Sequence, residues 1–329
     1  MDTQSNTTET ITPQIRIVFM GTPVFAESLL QALIEKHYNV VAAYTRPDKA
    51  AGRNQEIQES PVKQIASKQN IPVEQPEKFD EETIEKLRNY KPDLIVVVAY
   101  GKILPQTVLD IPGFGCINIH PSLLPKFRGP SPIQNVLLSG ETETGTTIML
   151  MDSGVDSGDI LAQEKIAISP DEIFPTLSER LAQTSTDLLL KTLPLWIERT
   201  IAPQKQDASH TTLCQLIERE DGHIVWLNDA ESIYNTFRAL YLWPGIYSLW
   251  NRDSKGQFLR LKITRITYQK HSPQIPHHLG EVFELGEKIG VQTVQGVIFL
   301  EEVHLEGKTV TPIIEFIKGY PQFIGSVLQ

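Results

Sequence analysis

Cysteine is scarce. Cys116 and Cys214 are the only two in 329 residues, too few for a disulfide framework or a cysteine metal cluster, so both are expected to be reduced thiols in a cytoplasmic protein. Long apolar runs are missing as well: nothing approaches the roughly 20 residues that a membrane-spanning helix needs. Positive charge is in deficit, with 30 Lys plus Arg against 40 Asp plus Glu and a net charge of −10. A global field that draws in any phosphate backbone is therefore excluded, and a nucleic-acid partner must be held by a local patch and by shape. The first fourteen residues, MDTQSNTTETITPQ, lack the cationic start and apolar centre of an export signal and read as a frayed extension before the first strand. Internal repeats are absent.

What is present is a 40 % hydrophobic chain, long enough for two domains with full cores. The first part alternates strands and helices. Residues 15–20 (IRIVFM), 40–45, 93–99, 115–120 and 146–151 read as strands, with a short edge at 71–73. Residues 25–34, 61–69, 79–90 and 173–196 carry apolar residues at helical spacing. The run DLIVVVA at 93–99 is apolar on both faces, which places it at the centre of a covered parallel sheet. This is the pattern of a doubly wound α/β domain, and such sheets bind ligands at the carboxyl ends of their strands.

The pattern changes near Thr200. Residues 201–213 are polar and aperiodic and read as a linker or an extended crossing segment. After them comes a short helix around 232–240, then short runs at 245–250, 258–266, 281–285, 291–293 and 296–303, separated by turn residues, which predict a small β-barrel. The predicted organisation is thus an extension over 1–14, a first domain over 15–200, a linker over 201–213 and a second domain over 214–329. Residues 201–329 hold 12 Lys plus Arg and 14 Asp plus Glu, a net of −2, so −8 of the −10 lies before them. The second domain repels a polyanion less than the first.

Two polar clusters stand at predicted strand ends. Of the two histidines in the first domain, His37 sits in a helix-to-strand turn, whereas His120 ends the strand 116–120 (CINIH). With a period of two, Asn118 and His120 face the same side, and such a pair at a buried edge needs hydrogen-bond partners or a ligand. The next loop, PSLLPKFRGP at 121–130, has three prolines that stiffen it and two leucines suited to the wall of a flat organic ligand. The second cluster, DSGVDSGD at 152–159, lacks the glutamate spacing of a calcium loop, so no metal is expected. One of its aspartates brought beside His120 would orient the imidazole or relay a proton, and periodicity alone leaves Asp152 and Asp156 both open.

Several segments together resemble the methionyl-tRNA formyltransferase family over nearly the whole chain from Ile15. They are Gly21-Thr22-Pro23 with Phe25, Thr45-Arg46-Pro47-Asp48-Lys49 with Ala51-Gly52-Arg53, Val97-Val98-Ala99-Tyr100-Gly101 with Ile103-Leu104-Pro105, Asn118 and His120 with Ser122-Leu123-Leu124-Pro125, and Trp243-Pro244-Gly245. The resemblance implies a Rossmann-like formyltransferase domain followed by an OB-like barrel, 10-formyltetrahydrofolate as formyl donor without a metal, and methionyl initiator tRNA as acceptor in translation initiation. It implies a monomer. It also implies roles: Asn118, His120 and Asp156 at the catalytic positions, and Lys102, Ile103, Leu104, Ser122, Leu123, Leu124 and Pro125 around the folate. Phe25 would meet the methionyl group and Arg53 the acceptor stem; by their charge, Arg46 and Lys49, with Lys126 and Arg128 nearby, are expected to face the tRNA as well.

Two departures qualify the acceptor. After Arg53 the chain reads Asn54-Gln55-Glu56-Ile57-Gln58-Glu59, neutral to acidic where the family commonly carries glycine and lysines, so fewer phosphate contacts and a shallower salt dependence are expected. Pro121 stands where several tRNA-acting members have glycine and small-amine enzymes have proline. An amino-sugar nucleotide N-formyltransferase is the rival enzyme, and a non-catalytic tRNA-binding protein the rival from another class.

Overall fold

The computed structural model describes residues 15–51, 56–252, 256, 258–271 and 277–329; the expected extension over 1–14 and Arg53 lie outside the described residues. The chain forms two compact units. One takes the described residues up to Arg128, with Gly145–Ile166 and Glu179–Leu213; the other takes Gly129–Thr144, Ala167–Ser178 and Cys214–Gln329.

The chain order begins β1 (Arg16–Gly21), α1 (Val24–Glu35), β2 (Asn39–Tyr44), the short antiparallel pair β3 (Lys49–Ala51) and β4 (Glu56–Gln58), α2 (Pro61–Lys68) and β5 (Val73–Glu74). It continues with α3 (Glu81–Asn89), β6 (Leu94–Val98), α4 (Gln106–Leu109), β7 (Cys116–His120), α5 (Pro132–Leu138), β8 (Glu143–Leu150), β9 (Ile160–Ala167) and α6 (Phe174–Ile197). Helix starts are set by local chemistry: Ser60 Oγ accepts from Lys63 N with Pro61 as the first helical residue of α2, and Asp80 accepts from Thr83 N at α3.

Among the described residues, seven strands form one sheet in the order β5-β2-β1-β6-β7-β8-β9. The first five are parallel, and β8 runs antiparallel to β7. The order reverses between β1 and β6, the switch point at which doubly wound sheets bind ligands. Side-chain alternation builds a core on each face. Ile17, Phe19, Val96, Ile117 and Ile119 pack with Leu29, Leu30 and Leu33 of α1 and Leu189 of α6 on one side. Val18, Met20, Ile95, Val97 and Cys116 pack with Leu87 of α3 and Val108 of α4 on the other. The sequence pattern therefore located the five parallel strands, but it missed β9, the β3–β4 pair and the short helices α4 and α5.

The second unit contains α5, α7 (Ala230–Ala239), β10 (Ile246–Asn251), β11 (Phe258–Gln269), β12 (Val282–Leu285), β13 (Lys288–Gln292), β14 (Val297–Leu305), β15 (Val310–Pro312) and α8 (Ile313–Gly319). Its antiparallel sheet runs β10-β11-β14-β13-β12, with β15 on β14. The last residues join the two ends of that order. Leu249 and Gln329 exchange backbone hydrogen bonds at 2.6 and 2.9 Å, while Val282 N donates to Ser326 O at 2.9 Å and Leu328 N to Gly280 O at 2.9 Å. Pairing of the final four residues with both β10 and the start of β12 satisfies the edges of the sheet, as barrel closure requires. Among the described residues, no helix is long and apolar enough to cross a membrane.

Candidate active site

The carboxyl end of β7 carries the polar pair. Asn118 and His120 alternate with Ile117 and Ile119, which are packed into the α1 and α6 side of the sheet, so both polar side chains project to the opposite face. A loop from β8 to β9 brings Asp156 against them. Asn118 Nδ2 donates to Asp156 Oδ1 at 3.3 Å, and His120 Nδ1 lies 3.6 Å from Asp156 Oδ2. The His120 side chain is 5 % exposed and that of Asp156 17 %, so the carboxylate is the part of the pair that solvent and ligand reach.

The two aspartates that periodicity left open are bonded differently. Asp152 is exposed and accepts from Gly154 N at 2.9 Å and from Ser157 Oγ at 2.8 Å, which consumes it in a local turn. Asp156 instead adopts a left-handed backbone, φ 47°, which turns its carboxylate toward β7. Gly158 is needed next to it: a Cβ there would lie 1.8 Å from Leu150 O.

His120 is fixed from its other ring nitrogen, with Nε2 2.8 Å from Phe127 O. A carbonyl only accepts, so Nε2 carries a hydrogen, and Nδ1 is the nitrogen left toward Asp156. The 121–130 loop that supplies Phe127 is braced internally. Ser122 Oγ donates to Lys126 O at 2.8 Å, Thr147 Oγ1 donates to Ser122 O at 2.7 Å, and Gln163 Nε2 donates to Leu124 O at 2.8 Å. The Leu124–Pro125 peptide is cis.

The residues singled out from sequence divide accordingly. Asn118, His120 and Asp156 are brought together. Ser122 and Leu124 are buried braces of the loop, leaving Leu123 and Pro125 partly exposed. Ile103 is 88 % exposed while Leu104 is buried, and the Lys102 ammonium donates to Pro76 O at 2.7 Å and to Glu77 O. Phe25 packs against the core on the face opposite Asn118 and His120. Arg46, Lys49 and Lys126 are exposed, with Arg46 also donating to Gly101 O. Arg128 is held by Gln206, which accepts from its Nε at 3.1 Å and its Nη2 at 2.7 Å.

Sequence reasoning missed Phe127, whose contribution is a backbone carbonyl with no side-chain signal, and Gln206, which lies in the aperiodic segment read as a linker or an extended crossing segment. That segment is extended and paired: Gln204 and Ile160 exchange backbone hydrogen bonds at 2.7 and 2.8 Å, and Arg128 N donates to Thr212 O at 2.9 Å. Neither cysteine joins the site. Both are buried, and burial first, then the Asp110 charge, pushes the Cys116 thiol up to about 12, too high for a nucleophile near neutral pH. Among the described residues, no group of three or more His, Cys, Asp or Glu is arranged to hold a metal ion.

Comparison with known proteins gives two matched segments. The family described as Formyl transferase matches residues 15–193, and Formyl transferase, C-terminal domain, matches residues 216–321. The chain is 43 % identical over 317 residues to a methionyl-tRNA formyltransferase of Caldicellulosiruptor saccharolyticus, covering 95 % of this chain and 99 % of that protein. It is 41 % identical over 308 residues to a methionyl-tRNA formyltransferase of Geobacter sulfurreducens, covering 93 % and 94 %. Solved structures share the fold at lower identity. An N-formyltransferase from Helicobacter canadensis, in complex with folinic acid and dTDP-3-aminofucose, has a TM-score of 0.63 and 19 % identity over 87 % of this chain and 98 % of that one. HypX from Aquifex aeolicus, in complex with tetrahydrofolic acid, has a TM-score of 0.62 and 17 % identity over 94 % of this chain, which spans 48 % of HypX. On sequence identity carried across both matched segments, the chain belongs to the methionyl-tRNA formyltransferase family.

Proposed function

We propose that the Asn118, His120 and Asp156 cluster is the centre at which this chain formylates the α-amine of methionyl initiator tRNA. The observation that carries the reading is the convergence of all three side chains at one strand end, with Asp156 within 3.3 Å of Asn118 and 3.6 Å of His120. The family performs this transfer for translation initiation, and relatives near 40 % identity are named for that acceptor. Folate-dependent sugar formyltransferases are related only at the level of fold.

10-Formyltetrahydrofolate supplies the formyl carbon when bound. The exposed Ile103 and the partly exposed Leu123 and Pro125 offer an apolar wall for its flat ring system, whereas Ser122 and Leu124 hold the loop in shape from inside. Asn118 uses one hydrogen of its amide on Asp156 and keeps the second for the negative charge that develops on the formyl oxygen as the amine adds. His120 presents Nδ1 on the same side, because Nε2 is committed to Phe127 O. The carbon–N10 bond breaks as the new carbon–nitrogen bond forms, and a proton must pass from the amine to N10. Asp156, more accessible than His120, takes and returns that proton directly or through water.

For the tRNA, the exposed cations Arg46, Lys49 and Lys126 are proposed as phosphate contacts. Arg128 is left out because Gln206 holds its guanidinium, and Phe25 because it packs toward the other face of the sheet. A monomer working in the cytoplasm beside the translation machinery is proposed with this reading. Incubation with 10-formyltetrahydrofolate and, separately, charged initiator tRNA, charged elongator tRNA and an amino-sugar nucleotide tests the acceptor. Selective formylation of the initiator is expected; formylation of the sugar nucleotide alone would overturn the assignment.

A further inference from the structure

Gln206 lies outside the catalytic cluster, yet it ties together the two loops that build it. Its amide nitrogen donates to Asp156 O at 2.9 Å and to Gly158 O at 2.7 Å, and its amide oxygen accepts both Arg128 Nε at 3.1 Å and Arg128 Nη2 at 2.7 Å. All four hydrogen-bonding positions of the side chain are thereby used. The contacts fall on meaningful atoms. Asp156 O belongs to the residue with a positive φ, a conformation that costs free energy in a non-glycine residue and persists only where surrounding bonds over-determine it. Arg128 follows Phe127, whose carbonyl oxygen receives the His120 Nε2 hydrogen.

The neighbouring backbone reinforces the same connection. Phe127 N donates to Thr212 Oγ1 at 2.8 Å, Arg128 N to Thr212 O at 2.9 Å, and Ile160 N to Gln204 O at 2.7 Å. The segment 204–212 thus runs as a strap across both loops, and the Gln206 side chain is bonded to each. We infer that Gln206 is a positioning residue for formyl transfer: it holds the Asp156 backbone in its left-handed turn and so sets the distance from Asp156 to His120 and Asn118. The inference rests on the catalytic reading of Asp156 given above. It also gives Arg128 a different task from tRNA binding, namely to fix the orientation of the Gln206 amide so that the nitrogen faces Asp156.

Two substitutions separate positioning from simple bracing. Gln206→Met removes every polar bond at similar length. Gln206→Glu keeps the acceptor for Arg128, now charge-assisted, but removes the donor to Asp156 O and Gly158 O. A brace that matters only for its grip on Arg128 would be rescued by glutamate; a residue that positions Asp156 through its donor would not.

The measurement is steady-state formyl transfer to methionyl initiator tRNA by the full chain, with kcat and both KM values, for Gln206→Met, Gln206→Glu, Asp156→Asn and the Asp156→Asn/Gln206→Glu double variant. Both Gln206 variants are expected to lose about 10-fold to 100-fold in kcat, as misplacement of a catalytic group by an ångström does, with each KM within about 2-fold of the parent. The double variant is expected to be no slower than Asp156→Asn alone, because Gln206 acts through Asp156. Full kcat in Gln206→Glu, or a double variant slowed by the product of the two single effects, contradicts the inference while leaving Asp156 catalytic. Near-normal kcat in Asp156→Asn contradicts the catalytic reading itself, and with it the inference.

Discussion

His120 Nε2 lies 2.8 Å from the carbonyl oxygen of Phe127, so the ring nitrogen facing Asp156 is Nδ1. The 121–130 loop thereby chooses which ring nitrogen is left toward Asp156. The first prediction follows directly. In long-range proton–nitrogen correlation spectra of labelled protein, His120 Nε2 bears hydrogen throughout the pH range in which the chain is folded. A spectrum with hydrogen on Nδ1 alone would remove Nδ1 as an acceptor and reverse the proposed geometry.

Gly158 probes the aspartate loop without touching a catalytic side chain. Its missing Cβ would sit 1.8 Å from Leu150 O, a backbone atom that cannot swing aside. Gly158→Ala therefore displaces the loop, and kcat for formyl transfer is expected to fall at least about 10-fold, since small misplacements of a catalytic group carry penalties of that order. Parent-like kcat would mean that the loop relaxes without moving Asp156.

The thiols offer a control on the chemistry and a pH prediction. Cys116 and Cys214 are buried, so a thiol reagent at pH 8 should react with neither until the chain unfolds, and full formyl transfer should survive reagent treatment. Burial, with a smaller contribution from Asp110, pushes Cys116 up to about 12, and burial with the Glu74 hydrogen bond pushes Tyr90 up to about 12. Both groups hold their protons more tightly folded than unfolded. The unfolded state thus binds fewer protons above their ordinary values, and stability falls as pH rises from about 9 toward 12. Urea midpoints at pH 8 and pH 10.5 check this, with the lower midpoint expected at pH 10.5.

The tRNA contacts make a salt prediction. Lys49→Ala and Lys126→Ala should each raise KM for methionyl initiator tRNA and reduce the steepness of its salt dependence by about one counterion, leaving KM for 10-formyltetrahydrofolate unchanged. A parallel salt dependence in both variants would move the tRNA path elsewhere on the chain.

The doubly wound half was legible because its strands are covered on both faces and read as apolar runs, LIVVV of β6 above all. β9 was not, since its edge position alternates half-buried and exposed residues, and β15 with its three residues offers almost no period. Barrel closure by the last four residues was invisible for a different reason: it is made by backbone pairing with β10 and β12, which composition does not record. At the site, strand parity pairs Asn118 with His120, whereas only the family resemblance singles out Asp156 over Asp152, and the turn that Asp152 caps has no periodic signal. Gln206 had no periodic or motif context, so its four bonds could not have been anticipated.

The central claim is that Asn118 stabilises the charge that builds on the formyl oxygen and that His120 belongs to the same centre. Its most direct test is kcat for transfer from 10-formyltetrahydrofolate to methionyl initiator tRNA by Asn118→Ala and His120→Ala, each first shown to unfold cooperatively like the parent. The account predicts that each variant loses about 100-fold to 1,000-fold in kcat with both substrates still bound, the loss in Asn118→Ala being that of an oxyanion donor, about 3 to 4 kcal/mol. Transfer at near-parental kcat by either folded variant would contradict it.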